Sequence, residues 1–183
     1  MPVRILLAEP GVAGLRYDEI QQFLANGKIP MRLATIGGEG STVIYPVWYH
    51  YAKDRLYMFS RKNARKIENI ERNNTVYFSI DTETFPNKGV KGKGTARMIS
   101  DPNEGVPWVE RMLEEYLGDT KSKYPKKMIE SVRKGSSVVV EIRPHYYTSG
   151  TTLRDCSSTG PTKLNLSYGI LGQKHQPNSL WRV

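Results

Sequence analysis

Between residues 31 and 60 the chain sets three β-branched and aromatic segments one after another: "MRLATIG" (31 to 37), "TVIYPVWYHY" (42 to 51) and "LYMFS" (56 to 60). Only the turn "GGEGS" and the four residues "AKDR" separate them. A crossover between parallel strands takes about a dozen residues or more, so these links predict three antiparallel neighbours, a meander. Pro46 lies inside the middle segment and has no N–H to give a ladder, which puts that strand at a sheet edge or in a local bulge.

The rest of the chain extends the same architecture. In "TVYFSID" Val76, Phe78 and Ile80 alternate with Thr75, Tyr77 and Ser79, and in "VKGKGTARMI" Val90, Gly92, Gly94, Ala96 and Met98 alternate with Lys91, Lys93, Thr95 and Arg97. "SSVVVEIRP" (136 to 144) reads as a last strand. Helices are predicted at Tyr17 to Ala25, where Ile20, Phe23 and Leu24 form a stripe, and at Ala64 to Arg72, where Ala64, Ile67 and Ile70 recur every third residue. Two more are predicted over "VPWVERMLEEYLG" and around "KKMIESVRK". Six or more mostly antiparallel strands with a few short helices define a mainly β fold of barrel type, without βαβ crossovers. A chain of 183 residues fits one domain, expected over 1–150, followed by an irregular tail over 151–183 that either hugs a partner or moves freely.

Charge bears on what the domain meets. Twenty-seven Lys and Arg against eighteen Asp and Glu give a net charge of +9, which favours an anionic partner: nucleotide, phosphate or nucleic acid. Cys156 is the single cysteine, so an intramolecular disulfide is excluded, and its polar surroundings give no reason for a reactive thiolate. His50, His145 and His175 show no metal-ligand spacing, and no metal site is expected. With no apolar run near the ~20 residues of a membrane span and no signal-peptide core, the protein is expected in the cytoplasm.

The sharpest feature is "LYMFSRKNARKIENIERNNTVYFSID" (56 to 81), a strand, a short helix and a strand. Arg61, Lys62, Arg65 and Lys66 crowd the place where the helix begins. A helix N-terminus carries partial positive charge and unpaired N–H groups, so cations there repel it unless an anion sits among them. A solvated basic face is the bland alternative. A phosphate capping the helix, gripped by the Arg65 fork and the Lys66 point charge, explains the position. "KGKG" (91 to 94) is not a phosphate loop, since it lies in a strand pattern with no helix after it. Its glycines mark either the close approach of another backbone or a flat ligand, or a sheet bulge. Around Pro46 a planar heterocycle would find free backbone groups, with Tyr45 and Trp48 as apolar surface; an ordinary core strand with an edge proline is the other reading.

From about Tyr17 to Pro144, through "EIQQFLANGKIPMRLATIGGEGSTVIYPVWYHYAKDRLYMFS", "ARKIENIERNNTVYFSID" and "GKGTARMISD", the chain resembles the flavin-binding split β-barrel proteins related to pyridoxamine 5′-phosphate oxidase. The resemblance implies an antiparallel split barrel of FMN-binding type, a homodimer with cofactors at the interface, and an FMN-dependent oxidoreductase. In that family a Ser-Arg-Lys opening the short helix binds the FMN phosphate, which maps onto Ala64, Arg65 and Lys66. Ala64 replaces the serine, leaving Ser60 or Asn63 to supply the lost contact. The family's proline-containing strand would set Tyr45, Pro46, Val47 and Trp48 against the isoalloxazine. Phe59 and Arg61 at the strand end join the cofactor-binding set, and the later strand would add Lys91 or Gly92. Relatives using a deazaflavin make that cofactor the alternative to FMN. The C-terminal arginine and histidine pattern of true pyridoxamine phosphate oxidases is not found, so vitamin B6 oxidation is not expected; the substrate and the catalytic residues stay open. Two competitors remain: a flavin store or sensor without turnover, and a basic barrel binding single-stranded nucleic acid through its eleven tyrosines and three tryptophans.

Overall fold

Two residues, Trp48 and Tyr49, decide the shape of the sheet. In the computed structural model, which describes residues 3–7, 14–26 and 28–151, they separate β3 (Thr42–Val47) from β4 (His50–Ala52). With β1 (Arg4–Leu7), β2 (Met31–Ile36), β5 (Arg55–Arg61), β6 (Thr75–Asp81), β7 (Lys88–Ile99) and β8 (Ser137–Thr151), the strands form one eight-stranded sheet. Its order is β3-β2-β6-β7-β8-β5-β4, with β1 added to β8 in parallel. β3 and β4 thus lie at opposite ends of the path, yet only two residues join them. A flat sheet cannot satisfy both facts; the sheet must curl until its edges approach, which makes a split barrel.

The predicted meander is corrected here. β2 and β3 pair as the hairpin expected, and β4 and β5 pair through Lys53 and Asp54, both at positive φ (52° and 57°), as a two-residue turn of matching twist requires. The segment 42–51 is not one strand, however, and β5 pairs with β4 and β8, never with β3. Pro46 does occupy an edge strand, opposite Arg32.

Two cores form on the two faces of β5 and β8. Leu56 and Met58, with Val138, Val140 and Ile142, fill the barrel interior together with Met31, Leu33, Val76, Phe78 and Ile80. Ile20 and Leu24 of α1 (Tyr17–Asn26) and Ile67 and Ile70 of α2 (Arg65–Arg72) pack against this interior core. The alternate residues Tyr57 and Val139 face outward and are covered by α3 (Pro102–Leu117) and α4 (Lys123–Arg133) through Val106, Val109, Leu113, Ile129 and Val132. α3 begins four residues before the expected start, because Asp101 caps it by accepting a hydrogen bond from Asn103 N (2.9 Å) and Pro102 suits a first helical turn.

The glycines of "KGKG" serve the barrel wall. A Cβ on Gly92 would stand 2.4 Å from Phe78 Cζ and 2.7 Å from the Tyr146 carbonyl oxygen, and one on Gly94 would stand 2.7 Å from the Arg143 oxygen. Gly92 lies in register between Phe78 and Tyr147, whose rings meet edge-on across it with centroids 6.2 Å apart. The register shifts between Lys93 and Gly94. A register shift and close backbone approach are both present, and the space beside Gly92 is filled by the protein's own ring and backbone. The segment 152–183, with Cys156 and His175, lies outside the described residues, as does the expectation for the tail.

Candidate functional site

β4 is too short to finish the barrel. It pairs only with Arg55, Leu56 and Tyr57, so from Met58 onward that edge of β5 has no strand beside it, and β3 has only β2. Across this split α2 lays its first turn. Asn69 Nδ2 donates to Thr35 Oγ1 (2.9 Å, buried) and ties the helix to β2, while Ile67 and Ile70 bury themselves beneath it. Lys66 is thereby held in the gap: its Nζ is 3.5 Å from Ser60 Oγ on β5 and 4.9 Å from the centroid of the Tyr45 ring on β3.

This corner carries unmet polar demand. Burial depresses the Lys66 ammonium below its ordinary pKa, and no carboxylate among the described residues pairs with it. The helix N-cap is Ala64, which has no side chain to accept a hydrogen bond. Ile67 N and Glu68 N both reach the Ala64 carbonyl (2.8 and 3.2 Å), but Arg65 N and Lys66 N find no acceptor among the described residues. The Tyr45 hydroxyl is buried without a hydrogen-bond partner among the described residues. A cation without a carboxylate, two N–H donors without an acceptor among the described residues and one buried, unpartnered hydroxyl around one gap match an anionic group with several acceptor oxygens.

The candidate residues do not all converge there. Tyr45, Ser60 and Lys66 come together. Tyr45 and Val47 sit on the interior-facing register of β3, while Pro46 faces the outside in a row with Arg32, Ser79 and Lys91. Lys91 is exposed, and Gly92 is buried in the wall. Trp48 stacks on Tyr116 of α3 (centroids 4.9 Å, 15°), so one face of its ring is already taken. Arg65 points away from Lys66 and lines a separate 360 Å³ cleft with Gly37, Glu68 and Arg72, the last two paired at 2.6 Å. Phe59, Arg61 and Asn63 line a third cavity, toward α4.

Sequence reading missed the layer behind the site. Trp108 stacks on Tyr57 (3.9 Å, 9°) and tilts toward His50 (5.7 Å), which contacts Glu115 at 2.6 Å. His145 bonds Thr95 (2.8 Å). Among the described residues no group of three His, Cys, Asp or Glu is placed to hold a metal, and no helix is long and apolar enough to cross a membrane.

A curled antiparallel sheet, split where a short helix begins, is the architecture of the split-barrel proteins. The family model for pyridoxamine 5′-phosphate oxidase matches residues 17–149, and the chain belongs to this family. No curated protein matches it in sequence. Among solved structures, a conserved hypothetical protein, Rv2991, from Mycobacterium tuberculosis is similar with a TM-score of 0.67 at 22% identity, over 84% of this chain and 97% of that one. An FAD-binding protein from Mesorhizobium loti gives 0.58 at 22% identity (76% and 96% covered). An F420 reductase gives 0.57 at 18% (69% and 94%). At these identities the likeness establishes the shared fold.

Proposed function

We propose that this chain is a flavin-dependent oxidoreductase, with FMN as the cofactor and a deazaflavin as the alternative, and that the cofactor phosphate is the anion missing at the start of α2. The observation that carries the reading is Lys66, a partly buried cation that among the described residues has no carboxylate, beside two N–H groups without an acceptor there and a helix whose N-cap is Ala64. Lys66 and the N–H groups of Arg65 and Lys66 would hold the phosphate, with Ser60 supplying the hydroxyl that Ala64 lacks. A bound flavin supplies the hydride or electron transfer, and the chain's part is to bind it, orient it and keep water out. That similar folds include an FAD-binding protein and an F420 reductase supports a flavin-type ligand.

The reading includes a homodimer. Pro46 and Lys91 lie on the outer face, opposite the face from which Tyr45 meets Lys66, so their side chains meet a cofactor when a second copy brings that face to the split. The same face carries a row across four strands, Ile44, Ala34, Tyr77 and Lys93, in which Ile44 is 64% and Tyr77 41% exposed. Light scattering should give a dimer, and Ile44→Arg should convert it to monomer with loss of cofactor; a wild-type monomer that holds flavin tightly contradicts the shared groove.

The visible spectrum of the purified protein tests the cofactor. Flavin absorbance is expected, or a deazaflavin spectrum from a host that makes one. A colourless protein that binds neither on titration would sink the proposal, and tight, steeply salt-dependent binding of an oligonucleotide would then favour the nucleic-acid reading.

A further inference from the structure

We propose a second ligand site, for a small organic anion with a flat apolar body, in the cavity between the end of β5 and α4. Strand alternation separates it from the split. Ser60 faces the gap that holds Lys66, whereas Phe59 and Arg61 point to the opposite side, where α4 packs. The cavity, open to solvent on one side, has a volume of about 760 Å³, within the range of small-molecule pockets. α4 contributes one face, with Tyr124, Lys127, Met128 and Ser131 at helical spacings of three and four.

Its charge is one-sided. Arg61, Lys62 and Lys127 line it, no carboxylate does, and none of the three forms an ion pair among the described residues. The contrast lies on the same helix and just past its end, where Arg133 reaches Glu110 (3.7 Å) and Lys134 reaches Glu130 (3.3 Å). A concave surface holding three unpaired cations concentrates anions. Phe59, Met128 and Tyr124 give it apolar area, so a bare inorganic anion would leave much of the cavity unused. The serines stiffen the wall: Ser131 Oγ donates to the Met128 carbonyl (2.6 Å), and Ser136 Oγ donates to the Ser131 carbonyl (3.0 Å). The backbone of Lys62 is fixed by its N–H bond to Ser136 O (3.0 Å). The matching chemistry is an aromatic phosphate or carboxylate, its oxygens among the cations and its ring against Phe59 and Met128.

Calorimetric titration with phenyl phosphate, benzoate, phenol and inorganic phosphate tests this, on protein with and without saturating FMN. Phenyl phosphate or benzoate should bind at least about tenfold more tightly than phenol, and phenyl phosphate should exceed inorganic phosphate, with or without FMN. Arg61→Ala/Lys127→Ala should weaken it by about ten- to a hundredfold, and Met128→Trp, which fills the cavity and leaves the cations in place, should also abolish it. The site is refuted if phenyl phosphate and benzoate fail to bind at millimolar concentration. It is equally refuted if FMN displaces them, or if Lys66→Ala abolishes binding while Arg61→Ala/Lys127→Ala leaves it intact. Because the titration runs without FMN, it separates failure of this site from failure of the cofactor proposal.

Discussion

Single residues set both the wall and the site, and they were unequally readable. The clustering of Arg65 and Lys66 at a helix start was visible in the chain, because the cost of cations near unpaired N–H groups is local. That Lys66 lies over Tyr45, and that Arg65 and Arg61 turn into other cavities, depends on which strands flank the helix, and no spacing encodes it. Tyr45 and Pro46 are neighbours in sequence and face opposite sides, so within one copy the side chains of adjacent candidates do not share a face. Gly92 could be read only as an open choice, since the ring that meets it, Phe78, is set by register. Gly92→Ala should force that ring and the Tyr146 carbonyl apart, at a cost of about 1–3 kcal/mol or more. Urea denaturation measures this; an unchanged midpoint would mean the wall has slack there.

At the scale of elements, local periodicity found nearly every strand and helix, and failed where the barrel turns a corner. "TVIYPVWYHY" carries a continuous β pattern because every residue of it is strand-like; the bend at Trp48 and Tyr49 comes from closure, a property of the whole sheet. β1 escaped notice because four residues give no period, and its parallel partner β8 lies at the other end of the chain. The turn between β4 and β5 does more than reverse the chain. Asp54 Oδ1 accepts hydrogen bonds from Tyr17 (2.6 Å) and Gln21 (3.1 Å) of α1 and from Tyr51 (2.9 Å), pinning the helix to the barrel. Burial alone would raise this carboxyl, but those three donors and Arg55 overrule it and hold it below the ordinary value. Its contribution is then complete above the unfolded carboxylate range and lost as pH falls through the lower folded value. Asp54→Asn keeps a residue tolerant of the left-handed turn, so it should cost about 1–2 kcal/mol at neutral pH, and the gap from wild type should close as pH falls below about 4. Thermal denaturation across pH checks this; a gap constant at every pH would show the charge to be idle. On the alkaline side burial, with the Asp54 bond, pushes the Tyr17 hydroxyl up to about 12, so that part of the stability fades only as pH rises from about 10 toward that value.

For the whole molecule, the barrel's two edges, the uncapped helix and the excess of cations form one physical situation. The sheet closes except at the split, and there the free protein keeps a charge that no carboxylate among the described residues answers, beside N–H donors without an acceptor. An occupant that answers them must stabilise the fold in proportion to its binding. Thermal stability in FMN and in riboflavin, for the wild type and Arg65→Ala/Lys66→Ala, therefore tests the central claim most directly. At about a hundred times its dissociation constant FMN should stabilise the wild type by about 2.7 kcal/mol. The double variant should lose most of that increment at the same concentration, since the charged contact of Lys66 that it removes is worth about 1.5–3 kcal/mol. Without ligand it should be no less stable, because it sheds an uncompensated cation, and riboflavin, which has the ring and no phosphate, should bind both proteins alike. If the variant instead gained as much from FMN as the wild type and was merely less stable without it, Arg65 and Lys66 would be structural, and the phosphate would not lie at the start of α2.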